Sequence, residues 1–387
     1  MSPGSPEPLR PTILQVIPSL DAGGAERTTI EIAQALTDAG FSALVASEGG
    51  RMEGELKAVG GALVAMPLNT KSPVRMAANA MALRDLIRKR GVKLVHARSR
   101  APAWSTFFAA RMAHVPFVTT YHGIYNAGHP LKRFYNSVMA KGDMVIANSQ
   151  WTAEHIKKEH GIDPVRLAVI PRGVDLSRFD PGGIAPDRIA AMRASWGVPQ
   201  GSSVILLPGR LTRWKGQELL IAALAKLKQD GKLGNVCAVL AGDAQGRNAY
   251  VQELQASATA AGLQTVISIP GHVSDMAAAY LAADIVVSAS TDPEAFGRVA
   301  AEAGAMARPV IATDHGGARE TVIANVSGLL VPPGNADALA TALAVMLALT
   351  PDERAAMGAK ARAHIVANYS LDRMCAATLA VYRKLLG

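Results

Sequence analysis

Two cysteines in 387 residues are too few to staple a fold. Cys237 and Cys375 lie far apart within apolar stretches, so both are expected as reduced core residues of a cytoplasmic protein. Aromatics make up only 5% of the chain and are not interleaved with basic residues, which argues against nucleic-acid binding. No apolar run reaches the roughly 18 residues needed to cross a bilayer, so no transmembrane anchor is expected. The opening MSPGSPEPLRPT is Pro-rich, lacks the apolar stretch of a secretory signal and reads as a short disordered lead-in. Several reaction classes lose their signatures as well. The chain has no G-x-x-x-x-G-K-[ST], H-E-x-x-H, C-x-x-C or G-x-S-x-G. Nor does it have an Asp-x-Asp pair to hold a divalent ion beside a nucleotide, so any site is expected to be metal-independent.

What the chain does have is length, alternation and uneven charge. Its 387 residues favour two domains, each able to bury a core of its own. Residues 1–180 carry 22 Lys and Arg against 15 Asp and Glu, and the remainder 18 against 16, so +7 of the net +9 lies in the first part. That bias suggests an anionic partner there, such as a phosphorylated acceptor or an acidic membrane surface. From residue 12, short apolar runs such as ILQVIPSL, SALVAS, VKLVHA, FVTTYHG and DMVIANS alternate with helical stretches. The alternation restarts after residue 200 with SVILLPG, VCAVLAGD, VISIPG, ADIVVSAS, RPVIAT and SGLLVP. Such a pattern predicts parallel sheets covered by helices on both faces. RGVDLSRFDPGGIAPDR, rich in Gly, Pro and Asp, reads as the linker. The expected organisation is a domain over 1–180, a second over 181–369, and a terminal helix over 370–387 that can pack back on the first. Together these make two Rossmann-like, doubly wound α/β domains facing across a cleft.

Open α/β sheets bind ligands at the carboxyl ends of their strands, and two segments place charged groups there. Glu294 and Glu302 flank the start of a predicted helix in DPEAFGRVAAEAGAM, between two buried strands. Val299, Glu302, Ala303 and Met306 share one stripe of that helix, so Glu302 interrupts an apolar face and needs a partner. Ligand hydroxyls are one such partner. The alternative is an i, i+4 surface pair with Arg298, leaving Glu294 in solvent. In LLPGRLTRWKGQELL, Arg210 and Lys215 lie between a strand and a helix N-terminus, an arrangement suited to a diphosphate. In the first domain, Gly23 and Gly24 open a helix without forming the G-x-G-x-x-G fingerprint, and His122 ends a strand where it can donate to a ligand or move a proton. Ser149 fits a helix N-cap and, with Arg98 of HARSRAPAW, is kept as an acceptor-side candidate. The basic run Arg84, Arg88, Lys89, Arg90 and Lys93 is either a solvated helix face or a contact for anionic lipid.

Taken together, DAGGAER, YHG, IANS, GVDLSRF, GRLTRWKG, LAGD, PEAFGRVAAEA, HGGARE and GLLVPPGN resemble the family 4 retaining glycosyltransferases of the GT-B fold over nearly the whole chain. The resemblance implies a cytoplasmic hexosyltransferase without cofactor, taking a UDP- or GDP-sugar donor to a glycan or lipid-linked acceptor. It implies that Arg210 and Lys215 grip the donor diphosphate, and that Glu302 binds the ribose. Glu294 and the backbone N–H groups of Phe296, Gly297, Arg298 and Val299 would hold the sugar and phosphate. Gly271, His272 and Val273 would contact the base, Gly23 and Gly24 would approach the diphosphate, and His122 would sit beside the reacting sugar. One departure is Arg172, where such linkers usually carry asparagine before Gly-Val-Asp. A narrower likeness points to enzymes of lipopolysaccharide or other surface polysaccharide synthesis, and the basic run from Arg84 to Lys93 is what suggests peripheral contact at the inner membrane face. The alternatives are a GT-B nucleotide-sugar epimerase or hydrolase, and a nucleotide-sugar binding protein without catalysis.

Overall fold

The computed structural model describes residues 10–21, 23–125 and 128–387, so most of the expected lead-in lies outside the described residues. The chain divides into two compact units, Met1–Pro171 with Asp372–Gly387, and Arg172–Leu371. In the first unit, β1 (Thr12–Val16), β2 (Ser42–Ser47), β3 (Ala62–Ala65), β4 (Val92–Ala97), β5 (Phe117–Tyr121), β6 (Met144–Ala147) and β7 (Leu167–Val169) form one sheet. The order is β3-β2-β1-β4-β5-β6-β7, parallel throughout. In the second unit, β8 (Ser203–Pro208), β9 (Val236–Ala241), β10 (Ile267–Gly271), β11 (Ile285–Ser288), β12 (Val310–Thr313) and β13 (Gly328–Val331) pair in the order β10-β9-β8-β11-β12-β13, again all parallel. The two-domain α/β fold is therefore the one the alternating runs imply.

Continuous apolar runs form these strands because helices bury both faces of each sheet. VCAVLA in β9 and IVVS in β11 are buried at every position. Strand order reverses between β1 and β4 in one unit and between β8 and β11 in the other, the point at which open α/β sheets bind their ligands. In the second unit the loops leaving those strands are the two charged segments singled out from the sequence.

Three elements were not read from the sequence. β7 is only three residues long and half-buried, too short for a pattern. The helix Pro186–Ser195 begins inside the Pro- and Gly-rich stretch read as linker, with Pro186 in its first turn, where a missing N–H costs nothing. The helix Pro351–Asn368 is opened by a capping box between Thr350 and Glu353. The linker motif has a local cause: a Cβ on Gly173 would come within 2.5 Å of the Leu371 Cα, while the Val174 N–H donates to the Tyr369 carbonyl at 2.8 Å. The last helix, Leu371–Leu386, lies almost wholly in the first unit, where Tyr382 is fully buried.

Candidate functional site

The loop after β8 is shaped by a glycine that cannot be replaced cheaply. Gly216 has φ +78°, and a Cβ there would stand 2.0 Å from the Ala289 carbonyl oxygen. It closes the short turn Arg213–Lys215 and opens the helix Gln217–Gln229. The Thr291 N–H donates to the Trp214 carbonyl at 2.7 Å, which ties this loop to the one after β11. Lys215 Nζ consequently donates to Glu294 Oε1 at 2.7 Å, with both side chains largely buried, 13% and 16% exposed. The Ser290 hydroxyl donates to the same oxygen at 2.5 Å, and the ammonium also lies 4.3 Å from the Trp214 ring centre.

Behind this pair, the Glu294–Gly297 turn rests on two further glycines. The Gly317 N–H donates to the Glu294 carbonyl at 2.8 Å. A Cβ on Gly316, at φ +61°, would come within 2.3 Å of that same carbonyl oxygen, and one on Gly317 within 2.5 Å of the Phe296 Cα. Thr313 donates to the Ser290 carbonyl at 2.9 Å, and His315 Nε2 lies 2.8 Å from it. Gly297, at φ +80°, starts the helix Arg298–Ala305, whose first-turn N–H groups have no partner within the helix. Four residues into that helix, Glu302 is buried to 8% exposure. Arg298 holds its Oε1 at 2.7–2.9 Å, and Tyr280 donates to its Oε2 at 2.9 Å. The Arg298 pair therefore forms, but on a buried carboxylate rather than at the surface. Burial, and next the neighbouring Glu302 charge, push the Tyr280 hydroxyl well above its ordinary range and keep it a donor.

The remaining candidates of this unit lie at the same strand ends. Arg210 follows β8 with an exposed side chain, and its carbonyl accepts from Gln217 at 3.0 Å. Gly271 closes β10 at φ +80°, His272 is exposed, and Val273 packs partly on the core. The structure thus brings Lys215 together with Glu294, and Arg298 with Glu302. Arg210 shares the loop after β8 with Lys215 but makes no hydrogen bond or ion pair with Glu294, and Gly271, His272 and Val273 belong to the end of β10 and the loop after it. Among the described residues, no group of three or more His, Cys, Asp or Glu is placed to hold a metal ion.

Comparison with known proteins gives this arrangement a family. Residues 22–178 match the model described as Glycosyltransferase Family 4, and residues 189–364 the one described as Glycosyl transferases group 1. The crystal structure of a glycosyltransferase from Rickettsia africae ESF-5 is 37% identical, with 97% of this chain and 99% of that chain covered and a TM-score of 0.90. This chain belongs to the family 4 glycosyltransferases. HepE of Anabaena, solved in complex with UDP-glucose, is 28% identical, with 96% of this chain and 99% of that chain covered and a TM-score of 0.81. A D-inositol 3-phosphate glycosyltransferase of Xylanimonas cellulosilytica is 36% identical over 249 residues, 63% of this chain and 58% of that protein's length.

In the first unit of this glycosyltransferase, Gly23 and Gly24 lead into the helix Gly24–Asp38, and the Gly23 carbonyl accepts from the Arg27 N–H at 3.2 Å. His122 follows the last residue of β5 and is half-buried. The two acceptor-side candidates are corrected by their surroundings. Arg98 is 2% exposed, and its Nε and Nη2 donate to Gln15 Oε1 at 2.8 and 2.6 Å. Ser149 is fully buried, and its hydroxyl accepts from the Thr152 N–H at 3.0 Å as a helix cap. Sequence reasoning missed Ser290, Tyr280, Thr313 and His315, which hold the site without standing in it. The only signal for them was polarity inside apolar runs, in ADIVVSAS, MAAAYLA and RPVIATDH.

Proposed function

We propose that the chain transfers a hexosyl group from a nucleoside diphosphate sugar, with a UDP-sugar as the first candidate, to a hydroxyl of a glycan or lipid-linked acceptor. The observation that carries this reading is the buried Lys215–Glu294 pair at the reversal of strand order between β8 and β11. A cation and a carboxylate held in a poorly solvated crevice can divide the two ends of a sugar diphosphate between them. Lys215 and Arg210 attract phosphate oxygens, and Glu294 accepts from sugar hydroxyls. The N–H groups of the first turn of the helix Arg298–Ala305, which point away from the helix's own carbonyls, add donors for a phosphate. Glu302, already anchored by Arg298 and Tyr280, keeps lone pairs for ribose hydroxyls. The bond from the anomeric carbon to the diphosphate breaks as the acceptor oxygen bonds to that carbon. The departing phosphate oxygen takes the acceptor proton, on the same face, so configuration is retained. No enzyme nucleophile and no metal ion is invoked.

Two likenesses bear on the substrates. HepE was solved with UDP-glucose, which favours a uridine donor here. The relatives named for D-inositol 3-phosphate, with the basic bias of residues 1–180, favour a phosphorylated or otherwise anionic acceptor, and surface glycan synthesis is the setting we assign. Incubation with UDP-, GDP- and ADP-sugars, followed by mass spectrometry of the slow donor hydrolysis, tests the donor. Release of UDP from one UDP-hexose above the others supports the reading. Indifference to all three nucleotides removes it, and turnover to an isomeric donor assigns an epimerase instead.

A further inference from the structure

The two carboxylate oxygens of Glu294 are held unequally. Oε1 accepts from Lys215 at 2.7 Å and from the Ser290 hydroxyl at 2.5 Å, which engages both of its lone pairs. Oε2 has no partner among the described residues and is not sealed from solvent. The Ser290 donor is itself fixed. Its side chain is buried, and its carbonyl accepts from the Thr313 hydroxyl at 2.9 Å and lies 2.8 Å from His315 Nε2, so the peptide cannot turn without breaking both contacts. Ser290 stands two residues past β11 and Thr313 ends β12, so two neighbouring strands aim the hydroxyl.

The last torsion of a glutamate is broad, and an untethered carboxylate turns either oxygen toward a hydroxyl. With Oε1 taken, Glu294 presents one acceptor in one direction. A sugar hydroxyl of one configuration meets that acceptor, whereas its epimer points away and leaves the half-buried carboxylate unpaired. Once a diphosphate draws on Lys215, Ser290 is the remaining neutral donor that keeps Oε1 in place. We propose that Ser290 determines which epimer of the donor sugar is used, by fixing Glu294 so that Oε2 alone reads the hydroxyl. Ser290 acts through Glu294, as a positioning residue. The inference rests on the donor reading above, in which Glu294 accepts from the sugar.

Donor hydrolysis by the full chain tests this, measured as kcat/KM for UDP-glucose and for UDP-galactose and UDP-mannose, each inverted at one hydroxyl. The wild type should separate the best donor from the worst by about a hundredfold, and Ser290→Ala should cut that ratio about tenfold with UDP affinity unchanged. Ser290→Thr, which keeps the hydroxyl, should keep the preference. In Glu294→Ala the ratio should already be low, and adding Ser290→Ala should lower it no further, because nothing is left to orient. An undiminished ratio in Ser290→Ala, or an equal loss with and without Glu294, overturns the proposal and leaves the donor reading standing. A wild type that neither binds UDP nor hydrolyses any of these donors sinks the donor reading, and this inference with it.

Discussion

The two sheets reverse their strand order in the same way and use the reversal differently. Where β8 meets β11, the loops present partly solvated charges: Lys215 on Glu294, and Arg298 on the carboxylate of Glu302. Where β1 meets β4, the polar groups are sealed. Arg98 is buried on Gln15, and burial lowers its pKa. His96, fully buried, has Nδ1 at 2.6 Å from the Tyr382 hydroxyl and Nε2 at 2.7 Å from the Thr120 hydroxyl. Tyr382 comes from the last helix of the chain, which closes over this point, and burial pushes its hydroxyl up to about 12. One topology thus carries the charges we assign to a ligand in one unit and an anchor for the chain terminus in the other. The difference lies in solvent access: a charge that keeps some water can exchange it for a ligand, whereas a fully desolvated one is committed to its protein partner.

The strongest way to break this comparison is Lys215→Ala. If Lys215 steadies the departing diphosphate, the change should slow transfer about a hundredfold, or about 3 kcal/mol of barrier. Single-turnover kinetics with saturating donor would read this, and a near-normal rate would make the second unit's charges structural like those of the first.

His96 sharpens the other side. Burial first, then the charges of Arg98 and His122, hold its pKa well below the usual 6.5, so the folded protein keeps it neutral. Below pH 6.5 the unfolded chain binds a proton that the folded chain does not, so stability should fall as pH drops from about 6.5, by up to about 1.4 kcal/mol per pH unit. Urea midpoints between pH 7 and 5 should show this slope, and His96→Gln should flatten it in part. The slope that remains is expected from His160, which burial also lowers. An unchanged slope in the variant would mean that His96 is not sealed.

The smallest expected effect belongs to Tyr280→Phe. It leaves Glu302 Oε2 without its protein donor and should weaken donor affinity severalfold, worth about 1 kcal/mol, with little change in the maximal rate. Isothermal titration with the donor nucleotide would measure it. A loss of rate at unchanged affinity would place Tyr280 outside the ribose-binding role we assign to Glu302.

The fold was legible because buried parallel strands must be apolar at nearly every position, and runs such as VCAVLA and DMVIAN say so on their own. The charged loops were legible because Lys215 and Glu294 follow such runs in short polar segments and Glu302 interrupts an apolar helix face. The partners of those charges were not. Tyr280 reaches Glu302 across 22 positions, and Lys215 reaches Glu294 across 79, separations at which no periodicity operates. The burial of Arg98 and Ser149 was equally hidden, since a polar residue after a strand reads the same whether it faces a ligand or a neighbouring strand.

Local patterning determined the elements, the parallel sheets and the segments that bear charge, because hydrophobic period, glycine and cap residues act within a few positions of themselves. Only the tertiary structure decided which charges pair, which are desolvated and which unit takes the last helix. Those outcomes depend on strand order, and strand order is set by the packing of whole layers rather than by any single stretch of the chain.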